Sequence, residues 1–427
     1  MSLSRRIFHF NAGMFKKISE SYRQSYSGLS RETWLLSTVV LINRCGYMAV
    51  PFMSMYITQN LHRSIADAGL IITLFGAGSA IGAIAGGYLA DRIGFRAVQI
   101  ISLVISGLLF ILFAYIDTFF SLCLLTTVLG LFVEAFKPAN NSAIAAYSST
   151  ENLTRSYALN RLATNIGFGF GTSVGGVLAA INYKLLFWVD GVVYTLAGIL
   201  ILILLPNGSM QQSPSERDTV TASAVSPWKD SFFMRFIGMV TLYMTAFIMI
   251  FRILPVFWKE QMYIGEATIG ILMGMNGLII ALFEMVIIQA LHNRRPDFHY
   301  IIAGVLCTVF AFISLLLPGL PALLAGMMAV MAFTMGEMLT LPYISTIVIS
   351  RATQYNRGKY SAVYSLSWAI AQVVGPASGG IIAARWGYDA LWMTLILLCL
   401  LSATGFHFLY RNRLSIGSLD QALPENP

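Results

Sequence analysis

Long apolar stretches recur along the chain, separated by short polar breaks. A helix needs about 20 mostly apolar residues to cross a hydrocarbon core of about 30 Å. Such stretches run over 33–58, 67–90, 97–116, 119–148, 158–181 and 185–206, then over 232–257, 264–291, 299–317, 320–350, 360–384 and 388–410. They predict twelve membrane-spanning helices, here spans 1 to 12, and so an all-α membrane protein. The longest polar interruption, Asn207 to Asp230, is rich in Ser, Thr, Gln and Pro, the composition of a flexible linker. The expected organisation is an arm over 1–31, six-helix bundles over 32–206 and 231–411 joined by the linker 207–230, and a tail over 412–427.

Composition agrees with the pattern. Of 427 residues, 57% are hydrophobic and only 11% charged, against about 25% charged in soluble domains. With a mean hydropathy of +0.72, this excludes a water-soluble enzyme, a disordered chain and a secreted disulfide scaffold. Cys45, Cys123, Cys307 and Cys399 fall within apolar stretches without metal or redox spacing and read as small buried hydrophobes.

The net charge of +8 matters through its distribution. With the N-terminus inside, the cytoplasmic ends and loops hold 20 basic residues and the outer loops four: Arg63, Lys184, Lys259 and Arg385. Both termini are therefore expected in the cytoplasm. The basic, aromatic arm (Arg5, Arg6, Phe8, Phe10, Lys16, Lys17) suits either the inner leaflet or a frayed tail. No apolar signal-peptide core precedes span 1.

The two halves repeat at an offset of 204 residues, which takes Pro51 to Pro255, Pro138 to Pro342 and Trp188 to Trp392. The same offset takes Gly171, Gly175 and Gly176 to Gly375, Gly379 and Gly380. Odd spans match odd spans, so the repeats share one orientation. That implies a pseudo-twofold axis along the membrane normal and a cavity between the halves near the midplane.

The turn after span 2 reads Gly86-Gly87-Tyr88-Leu89-Ala90-Asp91-Arg92-Ile93-Gly94-Phe95-Arg96. It resembles the loop signature of the major facilitator superfamily, G-x-L-a-D-r-x-G-r-r. The resemblance implies two six-helix pseudo-symmetric halves, the major facilitator fold, and a gating role for Asp91, Arg92 and Arg96. The matching turn of the second half, His292-Asn293-Arg294-Arg295, is degenerate. Span 5 carries Gly167, Gly171, Gly175 and Gly176, which look like the superfamily's antiporter signature ending G-P-x-x-G-G, with Thr172 in place of the proline. The intact form, Gly375-Pro376-Ala377-Ser378-Gly379-Gly380, sits in span 11. Close helix packing through small residues also explains such stripes, including Gly78, Gly82 and Gly86 of span 2. The run Gly171-Thr172-Ser173-Val174-Gly175 mimics a hydrolase elbow but lacks the strand-to-helix turn that motif requires.

Charged residues inside spans carry the candidate chemistry. Each costs at least about 2.5–3.5 kcal/mol on insertion scales, so such residues normally face water and have a role. Glu134, Lys137, Pro138 and Asn141 share one face of span 4. The run Lys137-Pro138-Ala139-Asn140-Asn141-Ser142 resembles the K-P-N-x-S stretch of proton-dependent oligopeptide transporters, where the lysine belongs to the proton and substrate site. Glu337 of span 10 stands where that family places a glutamate that binds the peptide amino end. Asn43-Arg44-Cys45-Gly46-Tyr47 of span 1 echoes its E-x-x-E-R-F-x-Y-Y, with Val40 and Asn43 in place of both glutamates. At about 1.5 Å per residue, Arg44, Glu134 and Glu337 all fall near mid-depth. Tyr47, Tyr364 and Trp368 are candidate cavity walls. Asp190, Arg252 and Glu284 form a second tier of charged residues. The intramembrane tally is three positive (Arg44, Lys137, Arg252) and four negative (Glu134, Asp190, Glu284, Glu337), neutral when one carboxylate is protonated.

The expected function is proton-coupled secondary active transport of small organic solutes by alternating access in a bacterial inner membrane. Glu337, or the Glu134/Lys137 pair, would carry the proton, and Arg44 would attract a substrate carboxylate or pair with that glutamate. Desolvation raises a carboxylate pKa and a nearby cation lowers it, so one site can sense both proton and substrate. The loop signature favours export by proton antiport; Lys137 and Glu337 favour uptake of short peptides or another zwitterion. A non-transporting sensor is a remote alternative. The expected partners are a small-molecule substrate, protons and the lipid bilayer, with no nucleic acid, cofactor, metal or catalytic residue, and the chain is expected to be a monomer.

Overall fold

The computed structural model describes residues 28–149, 151–206, 226–291, 294–352 and 356–420. Residues 1–27 of the N-terminal arm, most of the linker and His292-Asn293 of the degenerate turn lie outside that set, as does the end of the tail. Among the described residues the structure is helical, without strands. Spans 2 to 6 run over Ile65–Ile93, Phe95–Phe113, Phe119–Tyr147, Leu153–Ile181 and Lys184–Leu204. Spans 8 to 10 run over Glu266–Leu291, Asp297–Leu316 and Ala322–Arg351.

Spans 1, 7, 11 and 12 differ from the separate continuous helices expected. Span 1 is broken: Arg31–Cys45 stops at Gly46, and the chain resumes as Ala49–Met55 and a π-helical turn, Tyr56–Asn60. Span 7 is broken likewise into Ser231–Arg252 and Leu254–Glu260. Pro51 and Pro255, related by the repeat, lie in the two short second segments, where a helix start tolerates the missing N–H. Spans 11 and 12 share one helical run, Arg357–Asp420, interrupted at Gly387 with φ 84° and ψ 172°. Gly94 separates spans 2 and 3 with φ 88°. Both turns need a left-handed φ that glycine adopts without strain.

Local sequence sets several helix starts. Ser30 accepts from the N–H of Thr33, Ser64 from Asp67 and Asp230 from Phe233, each at 3.1 Å. Such caps satisfy donors that a helix start leaves open.

Backbone-to-backbone packing at glycines joins the spans. A Cβ on Gly78, Gly82 or Gly86 of span 2 would meet the carbonyls of Thr127, Leu131 or Ala135 of span 4 at 1.9, 2.0 or 2.5 Å. A Cβ on Gly167 would sit 2.6 Å from Cβ of Arg44, and one on Gly171 2.7 Å from the Cys45 carbonyl. The span 5 stripe thus clasps span 1. Span 5 also packs on span 8, where Gly176 and Gly270 leave no room for a Cβ on either residue. Span 2 packs on span 11 in the same manner, Gly69 against Pro376 and Gly380. These two contacts join the first six spans to the last six.

Candidate substrate and proton site

The break in span 1 orders the centre of the molecule. Cys45 ends the first segment, and the backbone N–H groups of Met48 and Ala49 start the second without helical partners. Asp190 of span 6, fully buried, supplies them: its carboxylate accepts from Met48 at 3.1 Å and from Ala49 at 2.8 Å. A negative group at a helix N-terminus also opposes the positive end of the helix dipole. Gly46 lets span 6 approach, since a Cβ there would collide with Val193 at 2.6 Å.

Arg44, one turn before Tyr47, projects from this break with its guanidinium over the Tyr47 ring, 5.3 Å from the centroid. Its Nε is buried and makes no hydrogen bond. From span 7, Arg252 donates to the carbonyl of Val50 at 3.3 Å and lies over Phe75 at 5.4 Å. The two broken helices therefore meet beside their breaks.

Glu134 and Lys137 pair at 3.3 Å along span 4. Lys137 is 64% exposed although it sits about 15 Å from the helix end. Arg44 and Arg252 lie within electrostatic reach of the same Glu134. Asn141 is exposed one turn further along, and its backbone carbonyl accepts from the Tyr157 hydroxyl at 3.2 Å.

Glu337 belongs to a second group, on the last six spans. Its carboxylate accepts from the Asn276 amide at 3.1 Å, and the same amide donates to Thr334 at 3.1 Å. Glu284 pairs with Arg161 of span 5, an ion pair that crosses between the halves. Trp368 packs edge-on against Phe247, which touches Phe251; Phe251 in turn meets Phe333 and, across the halves, Phe168. Tyr364 is half-buried one turn before Trp368.

The structure thus gathers Arg44, Tyr47, Glu134, Lys137 and Arg252 into one group, and sets Glu337 and Glu284 in another. Asp190 lies in neither: its oxygens are occupied by the helix break. Sequence reasoning assigned Arg161 to a cytoplasmic helix end and passed over Asn276, Phe168, Phe247 and Phe251. Only Asn276, an amide in an apolar span, carried a signal that could have drawn notice.

The turn after span 2 marks one face of the molecule. There Asp91 is exposed and makes no hydrogen bond or ion pair among the described residues. Arg92 lies over the Tyr88 ring at 4.4 Å, and Arg96 donates to the Leu202 carbonyl at 2.6 Å. At the opposite face the halves are sealed. Gln59 donates to Glu260 at 3.0 Å, Tyr388 donates to Glu260 at 2.7 Å, and Glu266 takes Tyr183 at 3.0 Å and Lys259 at 2.8 Å. The Gly176–Gly270 and Gly69–Gly380 approaches lie on that same side.

Residues 35–376 match the family model of the Major Facilitator Superfamily. The chain is 24% identical over 341 residues to the uncharacterized MFS-type transporter YqjV of Bacillus subtilis, covering 78% of this chain and 82% of that one. It is 23% identical to a Na(+), Li(+), K(+)/H(+) antiporter of Planococcus maritimus, covering 86% and 92%. A crystal structure of a POT family transporter in complex with a thioalcohol-conjugated peptide superposes with a TM-score of 0.74 at 15% identity, covering 92% and 98%. With the family match running across most of the twelve spans, this chain belongs to the Major Facilitator Superfamily and is a multi-pass membrane transporter.

Proposed function

We propose that the chain couples the movement of small organic solutes to the proton gradient by alternating access, exporting the solute in exchange for protons. The observation that carries this reading is Glu337, a carboxylate within a span whose hydrogen-bond partner is the neutral amide of Asn276 rather than a cation. A carboxylate so placed can take up and release a proton without first breaking an ion pair. Glu134, held by Lys137, is the second proton candidate. Arg44, Tyr47, Asn141, Tyr364 and Trp368 line the solute path, with Arg252 and Glu284 beside it. Asp91, Arg92 and Arg96 latch the turn face when the opposite face opens. The antiporter named among the relatives favours exchange. Both termini lie in the cytoplasm of a bacterial inner membrane, the six-helix halves move as units, and a single copy suffices.

Uptake of short peptides or another zwitterion is the second reading, favoured by a lysine and a glutamate on opposite halves, Lys137 and Glu337. Proton flux in proteoliposomes with an internal pH-sensitive dye separates the two, using wild type beside Glu337→Gln. Export requires that an imposed proton gradient drive solute against proton entry, and that the variant lose this exchange. Proton entry together with a dipeptide, lost in the variant, selects uptake. Undiminished proton coupling in Glu337→Gln removes Glu337 from the mechanism.

A further inference from the structure

The charges facing the centre differ from the balance of four negative and three positive residues read along the spans. Asp190 drops out, because its oxygens are fully buried and hold the N–H groups of Met48 and Ala49. Arg161 joins, because it reaches Glu284 across the halves and is 47% exposed. The facing set becomes Arg44, Lys137, Arg161 and Arg252 against Glu134, Glu284 and Glu337.

The pairing sharpens the imbalance. Lys137 is matched by Glu134 and Arg161 by Glu284. Glu337 has an amide partner. Among the described residues, Arg44 and Arg252 form no ion pair. The carboxylate within electrostatic reach of both is Glu134, which Lys137 already holds at 3.3 Å. An arginine away from bulk water without a counter-anion is unfavourable, and its planar donors match a carboxylate in a bidentate arrangement. With Tyr47 covering one face of the Arg44 guanidinium, its edge remains for an oxyanion. Phe168, Phe247, Phe251, Phe333 and Trp368 supply an adjoining apolar wall.

From this we infer that the transported solute is an organic anion: an acid group seated between Arg44 and Arg252, attached to an apolar or aromatic body. The inference rests on the mid-depth group being the solute site. Lipophilic cations would face three cationic side chains there, Arg44, Lys137 and Arg252, and a zwitterion would leave the excess charge uncompensated.

Purified full-length protein tests this with four probes: phthalate, its neutral diamide, a dipeptide and tetraphenylphosphonium. Each is assayed for thermal stabilisation in detergent and for gradient-driven flux in proteoliposomes. Saturable stabilisation and flux are expected with phthalate and not with the diamide. Binding should weaken about tenfold to a hundredfold in Arg44→Gln or Arg252→Gln, the range for losing hydrogen bonds to a charged group. Arg44→Lys, which keeps the charge, should retain part of it and guards against a variant that fails to fold. Tetraphenylphosphonium or the dipeptide as the active probe overturns the anion inference and leaves proton-coupled transport standing. Phthalate binding indifferent to both arginines overturns it as well. Phthalate flux that does not respond to the proton gradient overturns the coupling reading and leaves the anion inference intact.

Discussion

The carboxylate of Asp190 holds the backbone N–H of Ala49 at 2.8 Å and so ties span 6 to the second segment of span 1. That bond makes the break in span 1 a fixed feature, with Arg44 one residue before the first segment ends at Cys45. Asp190→Ala would leave two buried donors without a partner, at a cost of about 1–3 kcal/mol each. The expected result is a clear fall in melting temperature of the purified protein together with lost transport. Asp190→Asn, which keeps one accepting oxygen, should fall in between. A variant Asp190→Ala as stable as wild type would show that the break holds itself.

Sealing of the opposite face depends on glycine. A Cβ on Gly176 would meet the Glu266 carbonyl at 2.5 Å and Gly270 Cα at 2.7 Å, both backbone atoms that cannot swing aside. Cysteines replacing Gln59 and Glu260, whose side chains meet at 3.0 Å, should cross-link on oxidation and stop turnover. Adding Gly176→Val should hold the halves apart there and reduce the cross-linked fraction several-fold, read on a gel.

Glu284 is 6% exposed and depends on Arg161. Removing one partner of a buried pair is worth about 3–5 kcal/mol in general, because the other charge is left uncompensated. Arg161→Ala is therefore expected to destabilise more than the double variant Arg161→Ala/Glu284→Gln. The comparison is a thermal melt of both. Equal destabilisation would mean that water at the half-exposed arginine already compensates Glu284.

Acid should loosen the turn face through Asp230, which caps span 7 and takes Arg351 at 2.7 Å and Tyr360 at 3.0 Å. Burial pushes its carboxyl up, but the hydrogen bonds from Arg351, the Phe233 N–H and Tyr360 outweigh that and hold it below the usual carboxylate range. A carboxyl depressed in the folded state stabilises fully above its unfolded pKa, about 3.9, and that contribution is lost as pH falls through the lower folded value. Wild type should therefore melt higher than Asp230→Asn at neutral pH, and the two curves should converge below about pH 4. A constant gap down to pH 3 would refute the assignment.

The helical spans and the glycine-bearing turn at Gly94 were legible along the chain, because hydropathy is a local quantity. The same holds for the glycine stripes, whose spacing by four fixes one helix face whatever the fold. Partnership was not legible. Asp190 reads as one more intramembrane charge until span 6 is seen to lie against the break in span 1. Arg161 reads as a topology signal until span 5 is laid beside span 8. Which carboxylate faces a cation, which a backbone donor and which an amide depends on side chains brought together from distant spans. Helical spacing gives each charge its face; only packing decides its neighbour, and the neighbour sets what the charge can do.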